Sequence, residues 1–214
     1  MGLYGRPMRA AARSRDDSKR ETREALVQAG IAEFAEHGLD TPSLDAICAR
    51  AGYTRGAFYV HFRDRDAFLV AVMERVLGRF FDSIIATGDA AHDLERTVGR
   101  FADALASGRR GASPLPLPGA VQLHRLLEAC ARSPQIRRRF GSLMQEAIAR
   151  VGRATAAGQA ARTVRGDVDP VQVGLLLVAV AFGGIALLET GIPFDPGKAS
   201  RTALRLVARR PARA

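Results

Sequence analysis

Tryptophan is absent from this 214-residue chain, tyrosine occurs only three times, and cysteine twice. So few flat, electron-rich rings offer no aromatic cage for a cationic ligand. The two cysteines, Cys48 and Cys130, form neither a disulfide framework nor a C-x-x-C zinc spacing. Each falls in an apolar helical stretch, where a reduced thiol serves as a small core residue. The four histidines, His37, His61, His92 and His124, are scattered. His124 and Glu128 stand at i, i+4, but two ligands make no metal site. A phosphate-cradling glycine loop and a nucleophile elbow are also missing. These absences predict a chain with no enzymatic activity, no metal and no cofactor. No apolar run follows the N-terminal charges, so that segment is not a secretory signal peptide and a cytoplasmic location is expected.

Lysine is scarce as well, Lys19 and Lys198 being the only two among 32 basic residues. Arginine therefore dominates a formal charge of +10, which suits an anionic partner. The charge is unevenly spread. Residues 1–20 carry six basic and two acidic groups, a net of +4, and residues 21–75 six and nine, a net of −3. The remainder holds twenty and eleven, a net of +9. Residues 1–18 lack hydrophobic periodicity and read as a flexible basic arm, able to trail along a phosphate backbone. The length allows a small headpiece, placed at residues 19–66, and a larger domain at residues 67–210.

The most informative stretch is residues 43–62. Leu44, Ile47, Cys48 and Ala51 fall at i, i+3, i+4 and i+7, which predicts a short helix with one narrow apolar face. Ser43 is its expected N-cap and Gly52 its C-terminal stop. Thr54 caps a second helix in which Phe58, His61 and Phe62 share one face and Arg55, Gly56, Tyr59, Val60 and Arg63 share the other. Two short helices around a glycine turn form a helix-turn-helix, whose second helix contacts base edges with its N-terminal residues. Arg55 is placed to offer its planar fork to guanine O6 and N7. Gly56 and Ala57 leave room for close approach, while Tyr59 and Thr54 suit phosphate contacts.

Upstream, Leu26, Val27, Gly30, Ile31 and Phe34 mark one face of a helix that stops at Gly38. Downstream, residues 63–69 open another helix with acidic residues in its first turn. With these flanks, residues 22–69 resemble the TetR family of bacterial transcriptional regulators. The resemblance rests on Thr22-Arg23, Phe34, Gly38, Ile47, Ala51-Gly52, Gly56, Phe58-Tyr59, His61-Phe62 and Arg65. It implies an all-α fold, with a three-helix DNA-binding bundle followed by a helical ligand-binding and dimerisation domain. It also implies DNA contacts from Ser43, Thr54, Arg55, Ala57, Tyr59, His61 and Arg65. Gly30 departs from the family pattern, which has alanine there. Asp45 departs too, standing where some members carry a basic base-contacting residue. It is read here as a cap or as an acceptor from cytosine.

From Phe68 to Ile85 an apolar pair recurs every four residues. On a helix of 3.6 residues per turn that stripe drifts by about 40° per step, so one helix serves two different cores. Further helices are predicted at roughly 90–107, 120–132, 134–161, 170–189 and 197–209, with a proline-rich loop at 110–119. Residues 171–188 are apolar apart from Gln172, yet Asp167, Asp169 and Glu189 flank the run where a membrane span would favour Lys or Arg. The run therefore reads as a buried helix, with Gly174, Ala179, Gly183, Gly184 and Ala186 permitting close approach of a neighbour. The helix after it turns Ala203, Leu204 and Val207 inward and an Arg201, Arg205, Arg209 stripe outward. The resemblance implies that helices 170–189 and 197–209 form a homodimer interface, so that paired reader helices meet a palindromic operator in double-stranded DNA.

The resemblance also implies a small-molecule pocket. Its apolar candidates are Phe81, Ile85, Leu105, Leu123, Leu127, Met144, Ile148 and Phe182, and its polar candidates His92, His124 and Gln145. The expected function is a repressor released from DNA by a small, largely apolar effector. The alternatives are an effector-independent or activating regulator and, in a different class, a helical carrier of apolar molecules.

Overall fold

Each helix of the headpiece carries a narrow apolar face, and the faces close on one another around four phenylalanines. In the computed structural model, which describes residues 15–84, 93–108 and 122–209, α1 is Arg15–His37, α2 Leu44–Ala51, α3 Arg55–His61 and α4 Arg65–Ile84. Phe34, Phe58 and Phe68 are fully buried, and Phe62 nearly so. The Phe68 ring lies 5.0 Å from that of Phe62, 5.2 Å from Phe58 and 6.2 Å from Phe34, in edge-on and tilted contacts that favour aromatic pairing. Gly30 makes the space: a Cβ there would stand 2.4 Å from Phe68 Cζ and 2.8 Å from Cε1. The departure from alanine is thus a packing requirement of this chain.

The remaining helices are α5 (Leu94–Gly108), α6 (Leu123–Arg132), α7 (Pro134–Ala160), α8 (Pro170–Glu189) and α9 (Pro196–Val207). Local chemistry fixes their starts. Ser133, Asp169 and Asp195 each accept a backbone N–H three residues on, and each precedes a proline at the first helical position. The fold is all-α; among the described residues the one bridge between extended segments joins Val164 and Ala208. Helix α1 begins at Arg15, inside the segment read from sequence as an arm; residues 1–14, the 110–119 loop, Ile85 and His92 lie outside the described residues.

Two cores share α4. Phe68, Leu69, Val72, Met73 and Leu77 belong to the headpiece core, which also takes in Leu126, Ala129 and Cys130 of α6 and Ile136 and Leu143 of α7. One turn beyond Leu77, Phe80 and Ile84 enter a second core with Leu94, Val98, Val151, Ala154, Val173 and Val207. The rotation expected of the apolar stripe is the physical reason: a single straight helix turns its apolar face from one cluster to the other.

Helix α8 does not behave as the buried helix expected from its composition. Only 17% of its apolar window is buried within the chain, and Leu175, Leu176, Val180 and Leu187 stand exposed beside Ala179, Gly183 and Ala186. Its inner side is tightly held by α7, where a Cβ on Gly174 would come within 2.5 Å of the Ile148 carbonyl oxygen. The opposite side, equally apolar, is left uncovered by the described residues.

Two glycines of the headpiece and its connecting helix give opposite expectations. Gly30→Ala forces Phe68 to shift and should destabilise the chain by about 1–3 kcal/mol. Gly78→Ala, in α4 with nothing within 4 Å of the added Cβ, should stabilise it by about 0.5–1 kcal/mol. Urea denaturation of the two variants checks both signs.

Candidate nucleic-acid interface and ligand cavity

The turn between α2 and α3 forms as its residues dictate. Ser43 accepts the Ala46 N–H at 3.1 Å and Thr54 the Ala57 N–H at 3.3 Å, so both predicted caps are in place. Gly52 adopts φ +75°, where its N–H reaches the Ala49 carbonyl at 3.1 Å and the Tyr53 N–H reaches that of Cys48 at 2.9 Å. Phe58 is the only buried side chain of α3. It locks the helix down by one face, and Arg55, Gly56, Tyr59 and Val60 project from the other. A Cβ on Gly56 would meet nothing nearer than Thr54 Oγ1 at 3.6 Å, so the protein's own packing does not require glycine there. A surface that must approach another closely gains from its absence of side chain. Val60, 68% exposed, leaves an apolar side chain on the same outward face.

Two residues, Arg65 and Asp45, differ from expectation, and a third, His61, has a shifted titration. Arg65 was expected to contact DNA, but it donates to the Pro42 carbonyl at 2.7 Å and the Leu39 carbonyl at 2.9 Å, with its guanidinium 5.9 Å from the Phe34 ring centre. Those partners hold it inside the headpiece, where it fastens the α1–α2 loop to the start of α4. Asp45 does not cap α2, since Ser43 does; its Oδ1 lies 3.5 Å from Arg55 Nε. His61 is half-buried at the end of α3 and, through burial first and then the nearby charges of Arg23 and Lys19, titrates below its ordinary value of 6.5.

Where the second core meets α8 and α9 there is a cavity of about 110 Å³. Phe81, Leu105, Leu123, Met144 and Phe182 line it as expected. Leu127 does not: it is 47% exposed, and Leu126 forms the wall at that turn. On a helix one position is a 100° rotation, and of two adjacent leucines only one can face inward. Ile148 lends its carbonyl to the α7–α8 contact and is not part of the lining. The aromatic walls include Phe80, Phe101, Phe140 and Phe194, which the sequence reading omitted. Phe80 stacks edge-on to Phe101 and Phe140 to Phe182, each pair 6.0 Å apart. Thr97 and Ser200 are the polar members of the described lining, and no charged side chain belongs to it.

Neither remaining polar candidate faces the cavity. Gln145 is exposed, and His124 Nδ1 lies 3.4 Å from Glu189 Oε2. That carboxylate has a task the sequence did not disclose. From the end of α8 it accepts the backbone N–H groups of Leu123 and His124, closing the open N-terminus of α6 from a distant part of the chain.

Polar contacts tie α6 and the start of α7 to the headpiece. Arg132 pairs with Asp40 of the α1–α2 loop at 3.0 Å, Arg125 lies 3.9 Å from the same carboxylate, and Arg63 donates to Gln135 at 2.6 Å.

Comparison with known proteins agrees with this layout. Residues 26–72 match the family model of bacterial regulatory proteins, tetR family. The HTH-type transcriptional regulator YwcC of Bacillus subtilis strain 168 is 41% identical over 58 residues, which are 27% of this chain and 26% of YwcC. The match thus spans about a quarter of that relative's length. Similarity of structure extends much further. SmeT, the repressor of the Stenotrophomonas maltophilia multidrug efflux pump SmeDEF, superposes with a TM-score of 0.62 at 26% identity, over 88% of this chain and 93% of its own. A SmeT–triclosan complex gives the same TM-score at 25% identity, over 88% and 92%. The reduced form of Escherichia coli NemR shares the fold with a TM-score of 0.70 at 19% identity, over 90% and 99% of the two chains.

The depressed His61 titration sets a pH dependence. As pH falls, the unfolded chain takes up this proton before the folded one. The contribution to stability is therefore whole above about pH 6.5 and is lost as pH drops through the lower native value. Urea midpoints measured between about pH 7.5 and about pH 5 should fall on the acid side, and His61→Gln should flatten that part of the profile.

Proposed function

We propose that this chain, whose residues 26–72 match the tetR family model, is a cytoplasmic homodimeric repressor of that family, released from a palindromic operator by a small, neutral, largely apolar effector. The observation that carries the reading is the presentation of α3, anchored by Phe58 and its C-cap Phe62 and offering Arg55, Gly56, Tyr59 and Val60 to a groove. Arg55 supplies base recognition. Ser43, Thr54 and the α3 N-terminus supply phosphate contacts that fix register without reading sequence.

The other parts follow from charge and shape. A lining with aromatic walls, two hydroxyls and no charged side chain disfavours ions, whose desolvation nothing there offsets. The SmeT–triclosan complex supports a small molecule as the effector class. The exposed apolar face of α8, with Ala179, Gly183 and Ala186 between its leucines, supports a second copy of the chain as its cover, with α9 alongside. Twofold pairing sets two reader helices about 34–36 Å apart, one turn of DNA. An effector pressing on Phe80, Phe81 and Ile84 acts on the end of the helix whose start holds Phe68, and so alters that spacing.

Fluorescence anisotropy with the DNA upstream of the gene, against a scrambled duplex of equal length, tests the DNA-binding reading. The expected preference is about 10³ or more. Arg55→Ala combined with Tyr59→Ala should remove it while leaving the melting temperature near that of the parent, since both side chains are exposed. Equal, weak binding of the parent to both duplexes would count against a regulator acting at that site and in favour of a carrier of apolar molecules.

The dimer has its own readout. Leu176→Glu puts a carboxylate on the exposed α8 face without touching the chain's interior. Sedimentation should then show a monomer, and operator affinity should fall by about 10² or more as the two half-sites are no longer bound together.

A further inference from the structure

Asp45 is the one acidic residue in the first turn of α2, and it stands beside the reader helix on a surface meant for a polyanion. A carboxylate there repels phosphate, so its presence calls for an explanation. Capping does not supply one, because the Ser43 side chain already takes the Ala46 N–H. What Asp45 does touch is Arg55: its Oδ1 lies 3.5 Å from Nε, although the two side chains are 68% and 55% exposed. Tyr59, one turn along α3, is the second polar neighbour of the same guanidinium.

Resting on the regulator reading above, we infer that Asp45 is a positioning residue for sequence recognition, holding Arg55 by its Nε edge so that the two terminal nitrogens face a guanine. A guanidinium presents its five N–H groups in one plane as a fixed fork. When a carboxylate occupies the Nε side, the outer edge remains, and its two parallel donors match O6 and N7 of guanine. An arginine free in solvent must surrender rotamer freedom on binding; one already held surrenders less. The carboxylate also lowers affinity wherever no guanine is present to engage the fork, since phosphate contact alone does not offset its repulsion. Asp45 thereby improves discrimination at the expense of general affinity for DNA.

Selection from a randomised duplex pool, read by sequencing, gives the base preferences of the parent chain, Asp45→Asn, Arg55→Ala and the double variant. Anisotropy on the selected and scrambled duplexes supplies affinities. Asp45→Asn should cut the preference at the guanine by about tenfold, at the same base pair that Arg55→Ala relaxes, while binding to the scrambled duplex strengthens. In the Arg55→Ala background the same change should cost no further preference. Two results overturn the assignment. Equal gains on both duplexes with an unchanged base profile make Asp45 a simple repeller. Additive loss at a different base pair makes it a direct reader of cytosine. If the parent selects no sequence at all, the regulator reading falls first and the assignment with it. Melting temperatures of all four chains, expected to agree because both side chains are exposed, separate these outcomes from misfolding.

Discussion

Phe68 in the notch at Gly30 is the contact on which the rest is built. Its ring closes the headpiece core by touching Phe34 of α1 and Phe58 and Phe62 at α3 and its C-cap. It also lies on the first turn of α4, so the aromatic cluster that anchors α3 from below anchors the connecting helix as well. Interiors pack at crystal-like density, and a cluster of this kind has few arrangements available to it. The pose of the reader helix is therefore set by the same atoms that set the start of α4.

The larger domain is fastened to the headpiece through two kinds of contact. Apolar side chains of α6 and α7 enter the headpiece core, and arginines of α6 reach Asp40 in the α1–α2 loop. The exposed ion pairs contribute little energy in water, and the apolar insertion bears the attachment. Helix α6 stands between the cavity and the headpiece: Leu123 and Leu126 line the first, while Leu126, Ala129 and Cys130 pack into the second. Glu189 closes its N-terminus from α8, so the position of α6 depends on a helix whose outer face the described residues leave exposed.

Much of this was legible in the sequence wherever the determining chemistry is local. The Ser43 and Thr54 caps, the Gly52 stop and the buried face of α3 all follow from residues a few positions apart, and each is present as read. The two-core role of α4 follows from periodicity, and the all-α class from helical periodicity together with the family resemblance. What escaped depends on partners far along the chain. Arg65 resembles a surface arginine until the loop carbonyls of Leu39 and Pro42 are seen folded against it. Glu189 looks like a flank of an apolar run until α6 is set across its end. Leu126 and Leu127 are equivalent in composition and differ only in which way the helix turns them. Uniform hydrophobicity concealed the two sides of α8, because a pattern with no polar face cannot say which neighbour each face meets.

The unbroken course of α4 has a mechanical consequence. From Phe68 to Ile84 it is a rod about 24 Å long, at 1.5 Å rise per residue. A tilt of about 5° pivoting at the far end carries Phe68 sideways by about 2 Å, more than half the van der Waals diameter of a carbon atom. With Gly30 leaving no slack beside Phe68, a displacement of that size is not absorbed as local adjustment. The aromatic cluster must travel with the rod and take α3 with it, so that a small angular change at one end becomes a translation of the whole reading surface at the other.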